Sequence, residues 1–269
     1  DYPSERLEIL ISDGMSADDT WSILKEYEAI DNRIHLLRNP QEIVPTGLNA
    51  AIRKARGEII LRVDGHTKIA CDYITRCVAT LTRTGADNVG GRLRPVGGNW
   101  VSVAISVATS TPLGVGGSRF HYSEQEEWVD TVYLGCWRKD LFDKVGLFDE
   151  EQVRNQDDEF NYRILDNGGR ILLSPEIRSS YSPRGSLGRL WSQYFQYGFW
   201  KVRVMQKHPK QMRWRHFVPP AFVAGLSICT LCAAIFTPVP LLAICVAYLT
   251  CLLIGAAVNA RHTKWAYLP

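Results

Sequence analysis

The sequence predicts an α/β protein, a doubly wound sheet with helices on both faces, followed by an amphipathic helix and a transmembrane helical hairpin. Three observations carry that prediction. From Leu7 to Leu173, short apolar runs closed by polar residues or glycine alternate with helix-like stretches. Two uncharged runs, Phe217 to Phe236 and Val239 to Val258, are each about twenty residues, enough to cross a hydrocarbon core. Between these regions, apolar residues recur at helical spacing with polar residues opposite them.

Leu7 to Ile11 reads as a strand closed by Ser12-Asp13-Gly14, and Asp18 to Ile30 as a helix with acidic residues in its first turn. Ile34 to Leu37 is a second strand, Thr46 to Arg56 a helix broken by Gly57, and Glu58 to Val63 a strand ending at Asp64. Cys71 to Arg83 is helical. Such alternation implies parallel pairing with right-handed crossovers. Ligands bind such sheets beyond the carboxyl ends of the strands, where Asp13 and Asp64 both fall. Gly90 to Ser123, rich in Gly, Ser, Thr and Pro, predicts strands and long loops. Helices return over Lys139 to Val145 and Asp158 to Asp166, the latter stopped by Gly168-Gly169 before a strand at Ile171 to Leu173.

Between Leu187 and Met205 the apolar stripe comprises Leu187, Leu190, Trp191, Tyr194, Phe195, Phe199 and Val202, facing away from Arg189, Gln193, Gln196, Trp200 and Arg203. A helix of this kind beside a membrane span can lie in the headgroup plane. An ordinary core helix has the same pattern, and both readings stand on sequence alone. Lys201, Arg203, Lys207, Lys210, Arg213 and Arg215 precede the first uncharged run, Arg261 and Lys264 follow the second, and Thr237-Pro238 joins the two. By the positive-inside rule both flanks are cytoplasmic. Membrane lipids attract these basic residues, so no nucleic acid is needed to explain them. The competing reading, a hairpin buried in a soluble core, conflicts with the lack of any charged face.

A hydrophobic content of 46% excludes a disordered chain. Four of the seven cysteines (Cys229, Cys232, Cys245, Cys251) lie in the apolar runs, which argues against a disulfide framework, and Cys229 and Cys232 lack the second pair a zinc site needs. The net charge of +3 understates the basic character beside the spans. No secretory signal opens the chain, which starts at Asp1 on a strand-like run, so a truncated amino terminus is expected.

Two clusters could do chemistry. Asp64-Gly65-His66 sets two potential metal ligands around a glycine directly after a strand, where backbone can approach a phosphate and a divalent ion can stabilise a leaving group. An aspartate there also serves as a turn former or helix cap. Asn155-Gln156-Asp157-Asp158-Glu159 concentrates three carboxylates ahead of Phe160, Ile164 and Leu165. Crowded like charges raise one another's pKa toward the range of a general base. The same residues also suit the first turn of a solvated helix.

Asp13-Gly14, Gly47 with Asn49, Asp64-x-His66, Asp157 with Arg163, and Gln196-x-x-x-Trp200 follow in the order found in family 2 glycosyltransferases. The chain most resembles the bacterial succinoglycan-type glucosyltransferases of exopolysaccharide synthesis, sharing Asn-Gln-Asp-Asp-Glu and Gln-Tyr-Phe-Gln-Tyr-Gly stretches. The resemblance implies a GT-A-like mixed sheet in a catalytic domain over residues 1–185, lacking the family's opening strand. An interfacial helix and basic segment would occupy 186–216, two spans 217–258, and a cytoplasmic tail, itself truncated at Tyr267-Leu268-Pro269, 259–269.

It also implies roles. Asp157 would be the catalytic base of an inverting transfer. Asp13, Asp64, Gly65 and His66 would bind the UDP-sugar donor, with Asp64 and His66 holding Mg2+ or Mn2+. Gly135 would leave room for the acceptor sugar, and Asp158, Gln196 and Trp200 would line the acceptor side. The acceptor implied is a polyprenyl-diphosphate-linked glycan at the bacterial inner membrane, with other polysaccharide assembly proteins as further partners.

His66 stands where the broader family's metal motif ends in Asp, and Gln156 where it has Glu. Phe199 replaces the Arg expected before the final Trp, which argues for single-sugar addition over processive synthesis. A nucleotide-binding dehydrogenase would need Gly-x-Gly-x-x-Gly between a strand and a helix, and the chain has none. A non-enzymatic scaffold that binds nucleotide-sugar or joins a polysaccharide assembly complex stays open.

Overall fold

The computed structural model describes residues 1–183, 185–212 and 216–262. Arg213, Arg215, Lys264 and the expected truncation point at residues 267–269 lie outside the described residues. Strands β1 (Ile9–Asp13) and β2 (Ile34–Arg38) pair in parallel across helix α1 (Thr20–Ile30) and form a small sheet of their own. Next come α2 (Val44–Lys54), β3 (Ile59–Leu61), β4 (Thr67–Ile69), α3 (Tyr73–Thr84) and β5 (Asn88–Pro95). Helices α4 (Trp100–Thr109) and α5 (Pro112–Val115) lead to β6 (Glu127–Val129), β7 (Tyr133–Arg138), α6 (Leu141–Val145), α7 (Gln156–Asp166) and β8 (Ile171–Tyr181). The main sheet runs β3-β7-β5-β8-β4, with β6 paired to the first half of β8.

The sheet is mixed. Alternation of strands and helices correctly gives parallel pairing for β1 with β2, but β3, expected among the parallel strands, pairs with the antiparallel β7 instead; β5 and β8 are parallel, and β7, β4 and β6 run antiparallel to their neighbours. Period-two side-chain alternation covers both faces. Ile171 and Leu173 of β8 join Trp137, Phe142, Phe160 and Ile164 on one side, while Leu172 joins Tyr73, Cys77, Leu81 and Cys136 on the other. Phe160 and Ile164 are fully buried, each contributing about 1.5–3 kcal/mol of burial, and they fix α7 on the sheet.

The stretch from Gly90 to Ser123 corrects the expectation of strands and loops. After β5 the chain turns helical, because Asn99 caps α4 by accepting from Ser102 N while Ser102 Oγ accepts from Asn99 N, a reciprocal capping box. β5 squeezes between its neighbours at Gly91, where a Cβ would collide with the Ile177 carbonyl.

Helix α8 (Leu187–Lys207) follows, capped by Ser186, and then α9 (Val218–Ile235) and α10 (Val239–His262) form an antiparallel pair. Phe222 meets Tyr248 with ring centroids 5.0 Å apart, and Gly225 lies against Ile244. Both helices are long and apolar enough to cross a membrane, and neither span is buried inside the protein, which removes the soluble-core reading. The second helix continues past Val258 into the expected tail.

Candidate active site

The carboxyl end of β3 and the amino end of α7 converge. Strand geometry puts Arg62 and Asp64 on the same side of the backbone as the chain leaves β3, and Arg62 donates Nε to Asp64 Oδ1 at 2.7 Å and Nη2 to Oδ2 at 3.1 Å. Arg62 is buried, and its backbone N–H bonds the Gly135 carbonyl on β7 at 3.1 Å. Burial alone would push the guanidinium pKa down, but the carboxylates of Asp64 and Asp157 more than offset it and hold the pKa raised.

Asp157 occupies the first turn of α7, behind Asn155, whose left-handed φ of +59° turns the chain into the helix. Its Oδ1 accepts from Asp158 N at 2.9 Å. Asp157 is exposed, although protein atoms of the surrounding elements crowd its carboxyl. Desolvation by those elements raises its pKa above the ordinary aspartate value. Arg62 opposes that rise, and Asp158 and Asp64 reinforce it. Tyr133 of β7 borders the group, hydrogen-bonded to Thr67, and its phenol is pushed up to about 12, mainly by burial.

Helix α8 closes the other side. Lys201 pairs with Asp158 at 2.6 Å, Arg154 Nε donates to Gln196 Oε1 at 3.2 Å, and Asn155 Nδ2 donates to the Tyr197 carbonyl at 3.0 Å. Gln196 and the half-buried Trp200 therefore lie on the helix that borders the acidic turn. Arg163 serves the frame, bonding buried Glu159 at 2.7 Å and the Val145 and Leu147 carbonyls.

The remaining expected residues have other surroundings. Asp13 is buried at the end of β1, where Ser16 Oγ at 2.6 Å and Arg38 Nη1 at 2.9 Å engage its carboxylate. Arg38 also lies over the Trp21 ring, 3.5 Å from its centroid. Gly47 packs against Ser12, and Asn49 brackets the Phe148 backbone, both framework contacts. The room expected beside Gly135 is filled by the Trp137 indole, and φ of +116° accounts for the glycine.

His66 is exposed, its ring 5.2 Å from that of Tyr181. Among the described residues no three His, Cys, Asp or Glu side chains cluster as metal ligands. Each Asp64 oxygen keeps lone pairs beyond the Arg62 bonds. The donor set therefore suits a divalent ion that arrives with a diphosphate and completes its shell with phosphate oxygens and water.

Sequence reasoning passed over Arg62, Arg154 and Tyr197, and read Lys201 as a basic residue flanking the membrane, whereas it pairs with Asp158. The signal for Arg62 was present, two residues before Asp64 in a strand and so on its side. The α8 partners are far apart in sequence from α7 and had none.

The Glycosyl transferase family 2 model matches residues 1–138. This chain belongs to glycosyltransferase family 2. Among family relatives it is 31% identical over 215 residues to the succinoglycan biosynthesis protein ExoA of Rhizobium meliloti (strain 1021), covering 79% of this chain and 65% of that protein. It is 30% identical over 222 residues to the dolichyl N-acetyl-alpha-D-glucosaminyl phosphate 3-beta-D-2,3-diacetamido-2,3-dideoxy-beta-D-glucuronosyltransferase of Methanococcus voltae, covering 80% and 69%. The family 2 chain thus spans about two thirds of the length of these relatives. Its fold is similar to that of the mannosyltransferase PcManGT from Pyrobaculum calidifontis, solved with GDP-Man and Mn2+, at a TM-score of 0.60, 17% identity, and coverage of 99% and 74%. The fold is the GT-A-like mixed α/β arrangement that the family 2 motifs implied.

Proposed function

We propose that the protein is a membrane-anchored, inverting glycosyltransferase that moves a single sugar, glucose from UDP-glucose, onto a polyprenyl-diphosphate-linked glycan in bacterial exopolysaccharide biosynthesis. The observation that supports it most is the convergence of Asp64 and Asp157 on the buried Arg62. In this reading Asp64 serves the diphosphate and Asp157, with its raised pKa, serves the acceptor hydroxyl.

In this reading Asp157 takes the proton of the acceptor hydroxyl as that oxygen bonds the anomeric carbon. The bond from that carbon to the diphosphate breaks on the opposite face, and UDP leaves with the electron pair. Configuration inverts with no covalent enzyme intermediate. Asp64 and His66 would hold Mg2+ or Mn2+, which when bound neutralises charge developing on the departing diphosphate. Arg62 orients Asp64 and tempers the basicity of Asp157. Asp13 and Gly65 complete the donor side. Asp158, Gln196 and Trp200 face the acceptor, and Gly135 enters through its backbone, which already aligns Arg62.

The exposed Trp191 and Phe195 of α8, 76% and 68% accessible, suit a helix lying in the headgroup plane. The protein would then be a multi-pass protein of the bacterial inner membrane with its catalytic domain cytoplasmic, in contact with other polysaccharide assembly proteins. The experiment is transfer of radiolabelled sugar from UDP-glucose to a lipid extract by membranes holding the full-length protein, with EDTA and Asp157→Asn as controls. Metal-dependent labelling that the variant loses supports the reading. Failure with every UDP-sugar tried sinks it in favour of a scaffold.

A further inference from the structure

The 24 residues between Arg94 and Arg119 carry no charge, although they lie in the catalytic domain and include two helices. Helix α4 is inside out for a water-facing element. Its serines, Ser102 and Ser106, point inward with Ile105, while Trp100 is 74% exposed and Ala104 and Ala108 share its outward face. Leu113 of α5, 57% exposed, extends the same apolar surface, and Val96 precedes it. Water favours the reverse arrangement, and a contiguous exposed apolar patch marks an interaction surface.

Two contacts say what covers it. At one end Asn99 Nδ2 donates to the Gly185 carbonyl at 3.3 Å, placing Trp100 beside the start of α8, whose Leu187 is also exposed. At the other end Leu113 packs on Gly255 of α10 so closely that a Cβ there would collide with it. Gly255 lies one helical turn from the end of the apolar span at Val258, which at 1.5 Å per residue is within about 5 Å of the hydrocarbon edge. A side chain that touches that turn is itself at the depth of the acyl and headgroup boundary.

We propose that residues 96–117 form a further membrane-contacting element, with Trp100, Ala104 and Leu113 against the lipid surface, distinct from the spans and from α8. The proposal rests on α9 and α10 spanning a bilayer and on nothing about catalysis. An uncharged apolar surface joined to a span near its end fits lipid better than a water-soluble protein.

Photoreactive benzoylphenylalanine placed singly at positions 100, 104 and 113 of the full-length protein in phospholipid vesicles tests it. Position 249 in the middle of α10 marks the bilayer, and position 23 on the exposed face of α1 serves as the water-facing control. Phospholipid adducts at 100, 104 and 113 as well as 249, and none at 23, are expected. Adducts at 249 alone, or protein adducts including crosslinked dimers at 100 and 113, overturn the proposal while leaving the spans in place. No lipid adduct at 249 overturns both.

Discussion

Arg62 grips both carboxylate oxygens of Asp64 and, through the same buried guanidinium, opposes the rise in the pKa of Asp157. A single cation thus sets the orientation of the residue nearest the proposed diphosphate and the basicity of the proposed base. Several outcomes depend on that pairing.

Asp157→Asn keeps shape and hydrogen-bonding capacity but cannot take a proton. Transfer should fall by about 10²–10⁴-fold, the usual worth of a general base, while UDP binding measured by calorimetry stays within experimental scatter of the parent. A variant retaining more than a tenth of the activity would remove Asp157 from the mechanism.

The pH profile follows from the same residue. Asp157 works deprotonated, so its raised pKa puts the acid limb of kcat/KM above the position an ordinary aspartate would give. Arg62→Met removes the opposing cation and should move that limb to still higher pH. A limb that stays put or moves down would show that Arg62 does not act on the base.

Stability should respond in the opposite sense to activity. A carboxyl whose folded pKa is raised binds its proton more tightly folded than unfolded, so it costs stability as pH rises from the unfolded value through the folded one. Asp157→Asn should therefore raise Tm at neutral pH, and the gain should vanish at pH values below the unfolded aspartate pKa. Thermal melts of the detergent-solubilised protein at two pH values check this.

Divalent metal should be removable without unfolding. EDTA is expected to abolish transfer and leave Tm unchanged, because Asp64 stays paired with Arg62 in the absence of an ion. Asp64→Ala should weaken UDP binding and also lower Tm, since it leaves a buried guanidinium without its closest partner.

Asn49 offers a test of the framework. Its side chain donates to the Phe148 carbonyl at 2.8 Å and accepts from the Phe148 N–H at 3.0 Å. Asn49→Ala orphans both groups at about 1–3 kcal/mol each, so denaturant unfolding should show a marked drop in midpoint.

How far the sequence carried depended on which physical signal each region obeys. The first three strands and their helices were legible because their apolar runs and glycine stops follow the periods that burial imposes. The region after β5 was not. In α4 serines face inward and apolar residues outward, so the usual contrast between a wet and a dry face is inverted and composition suggests a loop. Its Asn99-x-x-Ser102 capping box was the one local mark of a helix. The acidic turn at Asp157 was visible as a cluster of charges, and Gln196 only through the family resemblance, but Lys201, which borders the turn from α8, comes near only through tertiary packing.

Ion pairs join α8 to the segment that carries Asp157, Lys201 to Asp158 and Lys207 to Asp149 and Glu151, and a hydrogen bond links His208, just past the helix end, to Glu159. In the proposed placement of α8 on the bilayer, these ties would act as a spacer of fixed height. Under the proposed function the reacting hydroxyl would then be presented at a set distance above the lipid surface, and an acceptor whose glycan is one sugar too short or too long would meet the base out of register. Chain length itself would then become a criterion of selection, measured by the membrane rather than by a pocket.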